Sequence, residues 1–259
     1  MAELVSKKNI NKNKNNTIMK KLIITSLLLT LCFNVTAQSW WNSEKVRGNG
    51  NVVTKNRTTS DYEGVSVGGS FDVILVKGKE GKITIKGEEN IIPYIITEVR
   101  NGTLKIKYEK NVNVRTTRKL TVTVPYKDID KVSLGGSGNI SNEGVIKGED
   151  VSFSLGGSGD IRVNVDANHV KSSIGGSGNI KLSGKTDSFK CSIAGSGSIK
   201  AYELDANSLK ASIAGSGSIR TSVKNKIKAS VVGSGSIYYK GNPKIDSKSV
   251  GSGDVISRN

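Results

Sequence analysis

Apolar and polar residues alternate singly through short stretches of this chain, as in Val151-Ser152-Phe153-Ser154-Leu155, Phe189-Lys190-Cys191-Ser192-Ile193 and Leu209-Lys210-Ala211-Ser212-Ile213. A period of two predicts strands with one face turned inward. Each stretch runs into glycine, after which one aliphatic residue returns: Ile140, Ile161, Ile180, Ile199, Ile219, Ile237 and Val255. The pattern predicts stacked inward columns. One holds Val, Phe or Leu, one mostly small residues (Phe153, Ser172, Cys191, Ala211, Ala229), one Leu, Ile or Val, and one the aliphatics after the glycines, while Ser and Lys point outward.

The glycines repeat as Gly-Ser-Gly, then Asn, Asp or Ser, then Ile or Val, beginning at Gly136, Gly157, Gly176, Gly195, Gly215, Gly233 and Gly251. Successive copies lie 18 to 21 residues apart, the length of one solenoid coil. So short a coil must turn sharply, glycine reaches positive φ at little steric cost, and identical corners can nest at the strand spacing of ~4.8 Å. The serine between them can bond backbone or the next rung's serine. Gly48-Asn49-Gly50-Asn51-Val52 and Gly68-Gly69-Ser70-Phe71-Asp72-Val73 read as degenerate members of the series.

Residues 74–130 interrupt the repeat. They contain the alternating run Lys82-Ile83-Thr84-Ile85-Lys86, a short helical turn at residues 89–93, and Asn101-Gly102 between two strand-like runs, a hairpin signal. This region is expected to cap or flank the coil. At the far end Pro243, Lys244, Lys248 and Arg258 fall where the last rungs would expose an edge, which proline and charge protect.

Residues 1–37 read as an upstream extension and signal peptide. Translation is expected from Met19, the apolar run 22–33 is short for a membrane span, and cleavage is expected after Ala37. A lipid anchor on Cys32 is disfavoured by Leu31 before it. Residues 38–61 then form a leader, carrying Trp40 and Trp41, and a first degenerate rung. Residues 62–259 form one domain, with an irregular part at 62–131 and regular rungs at 132–259. An exported protein is expected, in the periplasm, at the outer membrane surface or outside the cell, with no transmembrane helix in the mature chain.

The chain carries a net charge of +17, and the segment expected to be cleaved removes six lysines and one glutamate, leaving +12. Only Cys191 then remains, so no internal disulfide is expected. Basic residues recur in two columns: Lys171, Lys190, Lys210 and Lys228 before the glycines, and Arg162, Lys181, Lys200 and Arg220 after them. Like charges stacked on neighbouring rungs repel unless solvent, salt or an anionic partner screens them. The functional reading is a stripe for acidic polymers such as acidic polysaccharide, lipopolysaccharide or extracellular DNA, and the plain one a solvated face that deters aggregation. Aromatic residues are not interleaved, so specific nucleic-acid recognition has no support.

Other chemistry is thinner. Only Asp160 and Asp254 place a carboxylate at the seven corners, too few for calcium, and no helix follows the glycines to cradle phosphate. No His/Cys/Asp cluster has metal spacing, so no cofactor or metal is expected. His169 reads as a loop residue and Cys191 as a buried inert thiol.

Gly68-Gly69-Ser70-Phe71-Asp72-Val73, the strand at residues 120–124 before Pro125, and the Gly-Ser-Gly array together resemble the head GIN domain family, secreted proteins known as auto-transporter adhesins and common in Bacteroidetes. The resemblance runs from Tyr62 to at least Ser236. It implies an all-β, right-handed, single-stranded β-helix-like solenoid and a surface or periplasmic setting, and it carries over no catalytic residues. The expected function is therefore a non-enzymatic adhesion or binding scaffold at the envelope. The alternatives are a polysaccharide-active enzyme with its site in residues 74–130, and a purely structural envelope component.

Overall fold

A computed structural model describes residues 44–259. The expected signal segment with its Met19 start, Cys32 and cleavage after Ala37, and Trp40 and Trp41, lie outside the described residues. The irregular part contains β1 (Glu44–Arg47), β2 (Val52–Thr58), β3 (Gly64–Gly68), β4 (Asp72–Lys77), β5 (Lys82–Glu88), β6 (Ile95–Arg100), β7 (Thr103–Tyr108), β8 (Val112–Arg115) and β9 (Thr121–Tyr126). Next come β10 (Lys131–Gly136), β11 (Asn139–Glu143) and β12 (Ile146–Gly157). Four long strands follow, each wrapping most of a coil: β13 (Asp160–Gly176), β14 (Asn179–Gly195), β15 (Ser198–Gly215) and β16 (Ser218–Gly233). The last coil is β17 (Ser236–Lys240), β18 (Lys244–Val250) and β19 (Val255–Ser257). The fold is an all-β solenoid of stacked coils.

Register is kept at the corners and on the strand segments that flank them, while the segments between absorb shifts, as after Lys181 and after Ala201. Ile161 lies beside Ile180, Ile180 beside Ile199, Ile199 beside Ile219 and Ile219 beside Ile237. The column of mostly small residues runs Phe153, Ser172, Cys191, Ala211, Ala229, all buried. Each fully buried aliphatic contributes about 1.5–3 kcal/mol. Narrow columns thus supply the core that scarce aromatics cannot.

Residues 74–130 do more than flank the coil. β7 and β9 form a layer of their own, with Leu104 and Ile106 beside Val65 and Val67, and Val122 and Val124 beside Val73 and Leu75. The β3–β4 rung is therefore sandwiched between that layer and the β10–β11 rung, because the chain travels to the far end of the stack and returns. Apolar residues at matching positions make this possible: Leu104, Val65 and Val132 continue the column that reaches Ala229. The Asn101-Gly102 turn joins β6 to β7 as expected, both residues at positive φ (51° and 67°).

The two degenerate repeats part company. Gly69 is a true corner, its carbonyl accepting the Gly138 N–H. The Gly48-Asn49-Gly50 segment is not a first rung, since β2 after it pairs antiparallel with β5. Its glycines serve a different contact. Gly48 leaves no room for a Cβ beside the Glu88 carboxylate, and the Gly50 N–H donates to that carboxylate.

At each regular corner, backbone meets backbone. Gly176 O accepts from both Ser196 N–H (3.1 Å) and Gly197 N–H (3.0 Å), and the pattern recurs from Gly136 to Gly215. The corner serines 137, 158, 177, 196, 216, 234 and 252 are exposed, and at 158, 177, 196, 216 and 234 the main-chain N–H bonds the rung before. Serine pairs between rungs occur elsewhere, as Ser173 with Ser192 (3.3 Å) and Ser198 with Ser218 (3.1 Å).

Two expectations follow for unfolding measurements in urea. A Cβ at Gly197 would lie 2.5 Å from Gly178 O and 2.8 Å from Ile174 Cγ2, whereas one at Gly175 would touch nothing, and Ala194 already holds the next position in that column. Gly197→Ala is expected to lose about 2–3 kcal/mol and Gly175→Ala less than about 0.5. Thr221 is buried with a hydroxyl that lacks a partner. Thr221→Val keeps the shape and removes that hydroxyl, so a gain of about 1 kcal/mol is expected; a loss would show that the hydroxyl is satisfied.

Candidate ligand-binding face

The stacked coils present two outward faces, one on each side of the glycine corner. On the face before the corner Lys171, Lys190, Lys210 and Lys228 lie in register, and on the face after it Arg162, Lys181, Lys200 and Arg220 do the same. The eight basic residues thus form two columns on different strands. Their charges are handled differently.

After the corner three of the four charges are met from within, and Lys200 has no carboxylate within ion-pair distance among the described residues. Arg162 pairs with Asp160 (2.8 Å), Lys181 with Glu203 (2.7 Å), and Arg220 bonds Ser218 Oγ (3.2 Å) and lies over the Tyr238 ring. Before the corner Lys228 reaches Asp246 only at 4.0 Å. Lys171, Lys190 and Lys210 have no carboxylate within ion-pair distance among the described residues. Unit charges ~4.8 Å apart repel by about 1 kcal/mol even in water, and salt reduces this.

Other outward columns avoid such repulsion by alternation. Just past the corners, Asn139 Nδ2 donates to Asp72 (2.7 Å) and Asn179 Nδ2 to Asp160 (2.9 Å). Within the long strands Asn168 donates to Glu149 (2.6 Å) and Asn207 to Asp187 (2.7 Å). Burial alone would raise the Asp72 pKa, but hydrogen bonds from Asn139 and Lys119 prevail and lower it. Carboxylate and amide take turns on these rungs. The lysine column repeats instead.

Sequence reading missed what lies beside the lysines. Ser66, Ser133, Ser154, Ser173, Ser192, Ser212 and Ser230 stack in register, two residues after the lysine position. The signal was present as Lys-x-Ser in four successive coils, at Lys171, Lys190, Lys210 and Lys228. A groove of about 330 Å³ runs along Lys190, Lys210 and Lys228 with Ser192, Ser212 and Ser230. A second, of about 410 Å³, continues it past Lys171 to Ser152 and Lys131, edged by Asp130, Asp150 and His169. His169 is a strand residue of β13 beside Asp150 and Ser188, because the long strands leave no loop there. Cys191 lies inside, where burial pushes its thiol pKa up.

A family model described as putative auto-transporter adhesin, head GIN domain, matches residues 61–243. The chain belongs to this family. Among solved structures, a putative adhesin from Bacteroides fragilis NCTC 9343 shares the head GIN fold over 82% of this chain and 100% of its own, at a TM-score of 0.78 and 24% identity. A putative lipid binding protein from Parabacteroides distasonis ATCC 8503 matches over 83% and 100%, at 0.72 and 27% identity. A putative adhesin from Parabacteroides merdae ATCC 43184 matches over 84% and 100%, at 0.66 and 24% identity. No curated protein matches by sequence. The head GIN match ends within the last coil, and β18 and β19 continue the stack beyond it.

Among the described residues no three His, Cys, Asp or Glu side chains gather as metal ligands, and no helix is long and apolar enough to cross a membrane. In residues 74–130 Glu88 is a buried carboxylate, and it is fully engaged. It accepts from Gly50 N–H (2.8 Å), Thr117 N–H (2.8 Å), Thr117 Oγ (2.5 Å) and Arg118 N–H (3.2 Å). Burial opposes its charge, but these donors prevail and hold its pKa at about 2. Its role is to tie the segments around Gly50 and Thr117 together.

Because the folded pKa lies below the ordinary 4.5, the Glu88 contribution is complete above that pH and is lost as pH falls toward about 2. Glu88→Gln is expected to cost about 2–3 kcal/mol at neutral pH and to flatten the fall in melting temperature between those limits. Equal slopes in the two proteins would refute this anchoring.

Proposed function

We propose that the head GIN solenoid is a non-enzymatic adhesion scaffold whose lysine and serine columns bind a linear anionic polymer, an acidic polysaccharide or the saccharide of lipopolysaccharide. One observation carries the reading. Lys171, Lys190 and Lys210 repeat without acidic partners on a face whose serine column can donate and accept hydrogen bonds at every rung. A polymer lying along the solenoid axis meets a positive charge at each ~4.8 Å step and relieves the repulsion between neighbours. Membership of an adhesin family points to a surface or secreted setting.

A second reading draws on the Parabacteroides distasonis relative described as a putative lipid binding protein. The same three lysines would meet anionic headgroups, without the requirement for a repeating ligand.

Binding to acidic polysaccharide, matched neutral polysaccharide and anionic vesicles, each at low and physiological salt, tests both. Salt-sensitive binding to the acidic polymer is expected. Replacing Lys171, Lys190 and Lys210 by serine should weaken it at least about tenfold, while Lys181→Ser with Lys200→Ser should change it less than about threefold. Equal losses would refute the assignment to one face. Binding confined to vesicles would favour the headgroup reading, and release of shortened polymer would favour an enzyme.

A further inference from the structure

The two ends of the solenoid differ. At the β7–β9 end antiparallel strands flank the layer, β6 on β7, and β5 on β9 with β2 beyond it. At the other end β18 and β19 pair only with β16 and β17 among the described residues, and all seven residues of β18 are exposed. Three large apolar side chains are exposed there, Val232 (53%), Ile245 (44%) and Val250 (69%). Two of the inward columns stop here too. Ser247 follows Ala229 and Ser249 follows Val231. We infer that this edge is the contact surface for a second copy of the chain, paired antiparallel through β18 about a two-fold axis at Ser247.

The charges on β18 select that arrangement. With Ser247 facing the partner's Ser247, all seven residues pair, and Asp246 faces the partner's Lys248 at both ends of the contact. The parity of the register also keeps Ile245 beside the partner's Ser249 on the inward side and Val250 on the outward side. Shifting the axis to Asp246 sets the two aspartates against each other and Lys244 against the partner's Lys248. Shifting it to Lys248 opposes the two lysines. An axis at Ile245 again matches Lys244 with Asp246 but pairs only the first few residues, with Pro243 inside the contact.

Growth stops at two. Pairing β18 with itself uses the same edge in both copies, so the contact is isologous and closed. Lys244, Lys248 and Pro243 thus bar indiscriminate pairing while one self-complementary register remains. Since β18 lies on the sheet that carries Lys190, Lys210 and Lys228, pairing sets the lysine faces of both copies on one side of a continuous sheet.

Sedimentation equilibrium of the purified chain, without ligand, tests this independently of polymer binding. A concentration-dependent passage from monomer to dimer mass, with no larger species, is expected. Asp246→Lys alone and Lys248→Asp alone each set like charges together and should raise the dimer dissociation constant at least about tenfold. The double variant carrying both exchanges should restore it. Circular dichroism of each variant verifies the β-structure, because β18 closes the stack. A chain that stays monomeric at every concentration, unlimited growth, or a well-folded double variant that fails to dimerise would overturn the inference.

Discussion

Direct contact between main chains at the corners governs this molecule. One carbonyl accepting two N–H groups from the next rung fixes both the height and the phase of each coil, and only a residue without a side chain fits at the contact. Once phase is fixed, the positions flanking each corner must stack on their equivalents, and differences in coil length are taken up farther away, as after Lys181 and Ala201. The aliphatic columns, the Asp/Asn alternation, the serine line and the lysine line are consequences of that single registration.

Registration also explains how the outward chemistry divides. A side chain that recurs on each rung meets copies of itself, so a charged position must alternate, find a partner or remain under repulsion. The chain alternates at Asp160 and Asn179, pairs at Lys181 and Glu203, and does neither at Lys171, Lys190 and Lys210. This departure from its own practice gives those lysines more weight than a count of basic residues would.

The regular coils were legible in the sequence because their information is local. Glycine, the aliphatic after it and the alternating run before it all recur within one coil, so Ile161 to Ile237 could be placed inward without coordinates. The order of the first layers was not legible. Nothing near residues 103–126 shows that the chain passes beyond β3 and β4 before returning, since that depends on matching Leu104 to Val65 across some forty residues. Gly48 to Val52 fits the corner pattern, yet its glycines answer to Glu88, a partner distant in sequence. The same limit applies to the basic columns. They look alike as spacing, and only lateral neighbours such as Glu203, Asp160 and Tyr238 distinguish them.

The column that begins with Leu104 and passes through Phe153 narrows to Ala211, Ala229 and finally Ser247. In a one-dimensional array each coil draws its cohesion from its immediate neighbours, so a gradient in side-chain bulk becomes a gradient in local opening. Along this column apolar contact between coils lessens toward β18, while the neighbouring one from Val151 through Phe189 to Ile245 keeps its bulk. The broad, strapped layers around β7 and β9 act as the anchorage, and amide protection should be highest there and lowest in β18.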